Sequence, residues 1–327
     1  RFRVTALRAA VGVSPANASL RLRLGRALLL IGHTQSACRV LERAVRLDPG
    51  CGDSQFALGS ALSALGCLPE ARIAFSRARR LSPASAEVTF ALGNVYFECG
   101  DIDLAVRAYE SAIYMQPAYA RAHFNLGHAF KENGRLVQAA AAFRRALISE
   151  PKFYKARFML AYVYALMDLN TEAIEEYRKT IHQSPTYVKA HYNLGNCYLK
   201  SGQVSLALDS YRTILELDAE HARAHFAMGQ ALGRLGDVSE ALVSYQEALA
   251  LRHDFAECHL AYARALEAVG RVREALHHYR IYVNEPTPQE QREQVQAHID
   301  LLFTLGYGGD TTTEMRVLSA SEVNRTW

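Results

Sequence analysis

The chain has 327 residues, half of them apolar and 21% charged, with a formal net charge of +4. That composition excludes an intrinsically disordered chain, and so mild a positive balance does not by itself point to nucleic acid. No apolar run approaches the roughly 18 residues needed to cross a membrane, and no signal peptide is visible.

The six cysteines, at 38, 51, 67, 99, 197 and 258, stand singly with no Cys-x-x-Cys. They read as packing residues of a protein in a reducing compartment. The expected location is intracellular and cytoplasmic, with a ciliary or organellar complex as the alternative.

Alanine recurs every 34 residues, at Ala37, Ala71, Ala105, Ala139, Ala173, Ala207, Ala241 and Ala275. A fixed period of this length marks a repeat array. Counting from Ala18, the units are 18–51, 52–85, 86–119, 120–153, 154–187, 188–221, 222–255 and 256–289, with the alanine at position 20 of each. Residues 1–17 place Leu7, Ala10 and Pro15 at positions 24, 27 and 32, so the chain is read as starting inside a partial repeat.

Within a unit, positions 4, 7, 8 and 11 share one face of a first helix, and positions 20, 24 and 27 one face of a second. Position 8 is Gly or Ala throughout, whereas position 24 is Leu41 and then aromatic from Phe75 to Tyr279. Small residues at 8 and 20 let the two helices approach closely, and the large ones fill the space around them. Position 15 is glycine in seven units and Asp168 in the fifth, which predicts a left-handed residue ending the first helix. Proline at position 32, in Pro49, Pro83, Pro117, Pro151 and Pro185, stops the second.

Beyond the last unit, residues 289–305 predict one more amphipathic helix, with Val295, Ile299 and Leu302 on one side, as a solenoid cap requires. Residues 306–327 read as an extended tail, whose Met315, Val317, Leu318 and Trp327 could dock on the array.

The recurring residues at positions 7, 8, 11, 20, 24, 27 and 32 resemble the tetratricopeptide repeat, over residues 18–289. The resemblance implies an all-α fold: a right-handed α-solenoid superhelix of stacked helix–turn–helix hairpins. It also implies that positions 2, 5, 9, 12 and 13 of each first helix line a concave groove.

At those positions the chain carries Arg121, Lys155, Lys189 and Arg223 (position 2) beside Phe90, Phe124, Phe158, Tyr192 and Phe226 (position 5). Asn94 stands at position 9 and Asn125 at position 6. This composition suits a protein or peptide ligand, extended or helical, that is partly acidic and partly apolar. The alternative for the rings is packing against the neighbouring helix, and for the cations simple solvation.

Some tetratricopeptide proteins grip a terminal carboxylate with Lys at 5 and Asn at 9, then Asn at 6, then Lys at 2 and Arg at 6. This chain supplies Asn94, Asn125 and Lys155 but departs from that pattern at Phe90 and Met159. The asparagine ladder of the O-linked N-acetylglucosamine transferase repeats is absent as well, since position 6 is asparagine only at Asn125 and Asn193.

Histidine fills position 4 at His123, His191, His225 and His259. Equivalent residues on neighbouring helices lie about 8–10 Å apart or more, too far to share a zinc ion bound at about 2.0–2.1 Å. The ladder is therefore read as packing, and the adjacent His277 and His278 as pointing apart.

Phosphate-loop, nucleophile-elbow and His-Glu-x-x-His motifs are missing. The chain is expected to be no enzyme, with no cofactor and no metal, and to act as a scaffold or adaptor within a larger complex or homo-oligomer. The alternatives are a helical-repeat RNA binder, which the acidic Asp53, Glu87, Glu98, Glu132 and Glu257 oppose, and the recognition arm of an enzyme encoded elsewhere in a longer chain.

Overall fold

The computed structural model describes residues 2–307. Expectations for residues 308–327, including Met315, Val317, Leu318 and Trp327, fall outside them. The described residues form eighteen α-helices and no strand. They group into two compact units, divided between Gln183 and Ser184.

The first unit holds α1 (Phe2–Val13) and five hairpins. These are α2 (Ala18–Leu30) with α3 (Thr34–Leu47), α4 (Gly52–Ala64) with α5 (Leu68–Leu81), α6 (Ala86–Glu98) with α7 (Ile102–Met115), α8 (Ala120–Glu132) with α9 (Leu136–Ser149), and α10 (Tyr154–Leu166) with α11 (Asn170–Gln183). The second unit holds α12 (Val188–Lys200) with α13 (Val204–Leu217), α14 (Ala222–Leu235) with α15 (Val238–Leu251), α16 (Ala256–Ala268) with α17 (Val272–Asn284), and α18 (Gln289–Thr304). Each first helix starts at position 1 of a 34-residue repeat and each second helix at position 17.

The hairpin turn follows from one backbone conformation. Gly100 and Gly134 take φ values of +82° and +70°, and Asp168 takes the same left-handed region at +62°. Such a residue reverses the chain after the first helix without a cis bond. Each second helix from α3 to α11 ends two residues before the position-32 proline.

The core lies between the paired helices. Ala105 and Ala139 are fully buried, as are the rings of Phe143, Tyr177 and Tyr211 at position 24. Burying each ring contributes about 1.5–3 kcal/mol. The small position-8 residue opposite makes room for it.

Within the first unit α2 packs on α4, α4 on α6 and α6 on α8; within the second, α12 packs on α14 and α14 on α16. Successive second helices make no contact of that extent. The first helices therefore lie on the inner side of the curve within each unit. Positions 2, 5, 9, 12 and 13 belong to these helices. No helix among the described residues is long and apolar enough to cross a membrane.

Candidate functional site

In six repeats the position-4 side chain reaches back to the turn before its first helix. His123 Nε2 donates to the Pro117 carbonyl at 2.9 Å, and His191 Nε2 to the Pro185 carbonyl at 2.8 Å. His225 and His259 make the same bond to Ala219 and His253, at 3.1 and 2.9 Å. Arg21 and Arg157 reach the Pro15 and Pro151 carbonyls in the same way. The histidine ladder is thus more than apolar filling. Each of these side chains ties the inter-repeat turn to the next first helix and satisfies a backbone carbonyl of that turn.

The position-5 rings are half-buried, with Phe158 more deeply covered at 9% exposure. Each packs on the position-24 ring of its own repeat: Phe90 on Tyr109 at 5.8 Å between centroids, Phe124 on Phe143 at 5.7 Å, Phe158 on Tyr177 at 5.7 Å, Tyr192 on Tyr211 at 6.1 Å and Phe226 on Tyr245 at 6.0 Å. A second column, at position 34, escapes a reading of the sequence. Tyr119 lies 5.0 Å from Phe90, Phe153 4.8 Å from Phe124, His221 6.2 Å from Tyr192 and Phe255 4.8 Å from Phe226. The signal was a ring residue recurring every 34 residues just before the first helix from the fourth repeat on, at Tyr119, Phe153, Tyr187, His221 and Phe255. Aromatic pairs of this geometry contribute about 0.5–1.5 kcal/mol beyond their area. They hold the position-5 ring at a fixed angle with part of its surface open.

The two asparagines come together. Asn94 Oδ1 accepts from the Tyr109 hydroxyl at 2.9 Å and from Asn125 Nδ2 at 2.8 Å. These bonds engage the Asn94 carbonyl and the Asn125 amide nitrogen, and leave the Asn94 amide N–H groups and the Asn125 carbonyl to bond elsewhere. Asn196, not singled out from sequence, plays the Asn94 part in the second unit and accepts from the Tyr211 hydroxyl at 2.8 Å. Asn193 instead donates to its own helix, at the Lys189 carbonyl. In the fourth repeat His128 replaces the asparagine and stands edge-on to Phe143. Burial there, with Lys131 nearby, pushes its pKa down to about 4.

Charge separates the position-2 residues. Asp53 pairs with Arg26 at 3.2 Å. Arg121, Lys155, Lys189 and Arg223 are exposed and form no ion pair among the described residues. Arg121 and Lys155 accompany Phe90, Phe124, Phe158, Asn94 and Asn125 in the first unit. Lys189 and Arg223 accompany Tyr192 and Phe226 in the second.

One expectation needs correcting. Adjacent residues on a helix do diverge, yet the rings of His277 and His278 meet edge to face at 5.1 Å. His278 also stacks on His259, with Nδ1 atoms 2.9 Å apart. Because His259 donates from Nε2 to a carbonyl, its Nδ1 accepts and His278 donates. No group of three or more metal-ligating side chains exists among the described residues.

Sequence profiles described as tetratricopeptide repeat match residues 31–86, 126–188, 188–221 and 222–255, and one described as TPR repeat matches 93–134. The chain belongs to the tetratricopeptide repeat family. No curated protein matches it. Three solved structures are similar over part of its length. A MamA crystal structure is 23% identical with a TM-score of 0.49, covering 51% of this chain and 97% of its own. YrrB, described as a TPR protein with an unusual peptide-binding site, is 20% identical with a TM-score of 0.48, over 57% and 95%. MamA 41-end from Desulfovibrio magneticus RS-1 is 24% identical with a TM-score of 0.49, over 52% and 96%.

Proposed function

We propose that this member of the tetratricopeptide repeat family is a non-catalytic scaffold that holds an acidic, partly apolar peptide segment on its first-helix faces, as a subunit of a larger assembly. The observation that carries this reading is the set of four exposed, unpaired position-2 cations beside fixed, half-open rings. A peptide carboxylate meets a cation that has no competing partner to lose. Apolar peptide side chains meet Phe90, Phe124, Tyr192 or Phe226, and peptide backbone meets the Asn94 amide and Asn125 carbonyl.

The cations act mainly on orientation and association rate. Exposed charges are screened over about 8 Å at physiological salt, so their contribution falls as salt rises. The six free cysteines support a reducing, cytoplasmic setting.

Co-purification tests the reading. A variant carrying Lys155→Glu and Lys189→Glu loses the partner that the wild-type chain captures. Retention of the same partners at the same level contradicts the proposal.

A further inference from the structure

The second unit ends in a feature outside the repeat pattern. Helix α18 packs on α17, and it meets α16 through Glu267, whose carboxylate accepts from His298 Nε2 at 2.9 Å. Between α16 and α18 lies a cavity of about 760 Å³ lined by Leu260, Arg264, Glu267 and Ala268 on one side. Gln291, Gln294, Val295 and His298 line the other, with Tyr279 beneath. A volume of this size is typical of small-molecule sites, about 300–1,000 Å³.

Its charges are arranged unusually. Arg271 and Glu274, three residues apart on α17 and its cap, pair through two bonds at 2.7 and 2.6 Å. Arg264 and Glu267 have the same order and spacing but do not pair. Glu267 Oε2 accepts instead from the Tyr279 hydroxyl at 2.7 Å, and Oε1 lies 3.1 Å from His298 Nε2, which leaves the ionised carboxylate with further lone pairs to accept from a ligand. Arg264 is exposed and forms no ion pair among the described residues. Burial acts to raise the Glu267 pKa, but hydrogen bonds from His298 and Tyr279 outweigh it and hold the group below the usual carboxylate range. The carboxylate is ionised at neutral pH. Gln291 Oε1 accepts from the Tyr282 hydroxyl at 2.8 Å, which turns its amide N–H groups outward.

We infer that the cavity between α16 and α18 is a binding site for a small zwitterion of the α-amino-acid class with an aliphatic side chain. The ligand ammonium sits on Glu267, its carboxylate takes the Arg264 guanidinium and the Gln291 amide, and its side chain lies on Leu260, Ala268 and Val295. Held apart on one face, a carboxylate and a guanidinium fit a molecule that carries both opposite charges. A simple anion meets repulsion from Glu267, and a simple cation meets it from Arg264.

Titration calorimetry with L-leucine, N-acetyl-L-leucine and L-leucinamide tests this. Leucine is expected to bind saturably with a Kd on the order of 1 mM or tighter. Removing either charge from the ligand, or making Arg264→Gln or Glu267→Gln, weakens binding at least about tenfold, the effect of losing one charged pair worth about 1.4 kcal/mol. Arg264→Gln, whose side chain forms no ion pair among the described residues, should keep the wild-type melting curve; Glu267→Gln keeps one acceptor for Tyr279 and loses the bond from His298, so its binding is compared at a temperature where it remains folded. Arg121→Glu with Lys155→Glu leaves leucine binding intact, which separates this site from the peptide surface. Absence of saturable binding by leucine overturns the inference. So does equal binding of either blocked analogue, or unchanged affinity in both variants.

Discussion

Gly127 on α8 lies directly beneath the ring of Phe143 on α9, so close that a Cβ added to it would stand 2.7 Å from Cε1. Gly93 and Tyr109 repeat the relationship at 2.7 Å. In these repeats the absence of a side chain on the first helix is what admits the ring that closes the core.

Gly127→Val should therefore cost about 1–3 kcal/mol, because Phe143 is fully buried and has nowhere to retreat. Gly127→Ala should be milder, since Ala161 already faces Tyr177 in the fifth repeat. Urea unfolding of both variants measures the difference. Equal stability of the valine variant and the wild type contradicts the packing.

Ala139→Leu probes the other small position. Ala139 is fully buried, and overfilling it should cost about 1–3 kcal/mol. An unchanged melting curve would show that position 20 has room to spare.

Acid should weaken the fold above the range where carboxylates titrate. Burial lowers both His128 and His278 to about 4 from an ordinary 6.5. At pH values between these limits the unfolded chain binds more protons than the folded one, so stability rises with pH. The contribution is complete above about 6.5 and is lost as pH falls toward 4. His128→Gln should flatten part of this slope when urea midpoints are compared at pH 7 and pH 5. An identical slope in the variant would mean that His128 is not the titrating group.

Much of the fold could be read from spacing because each structural duty recurs at a fixed position. The 34-residue alanine period located the buried contact between paired helices, and position 15 predicted left-handed backbone even where Asp168 replaces glycine. Side-chain partnerships across the hairpin could not be read in that way. Asn94 meets Tyr109 fifteen residues on, a distance set by where the turn returns the second helix rather than by any helical period. The position-34 rings stand in a turn, where no face pattern flags them. The Glu267–His298 cavity depends on α18, whose residues share no register with the repeats.

The surface cations give the most direct test. Fluorescence anisotropy of a labelled peptide rich in Glu, Leu and Phe can compare the wild type with Arg121→Glu/Lys155→Glu and with Lys189→Glu/Arg223→Glu. Exposed Arg107 on a second helix, changed to Glu, serves as the control. The account predicts that both double variants bind at least about tenfold more weakly while the control binds as the wild type does, with the loss shrinking as salt rises. Unchanged affinity in both double variants, or an equal loss in the control, would contradict it.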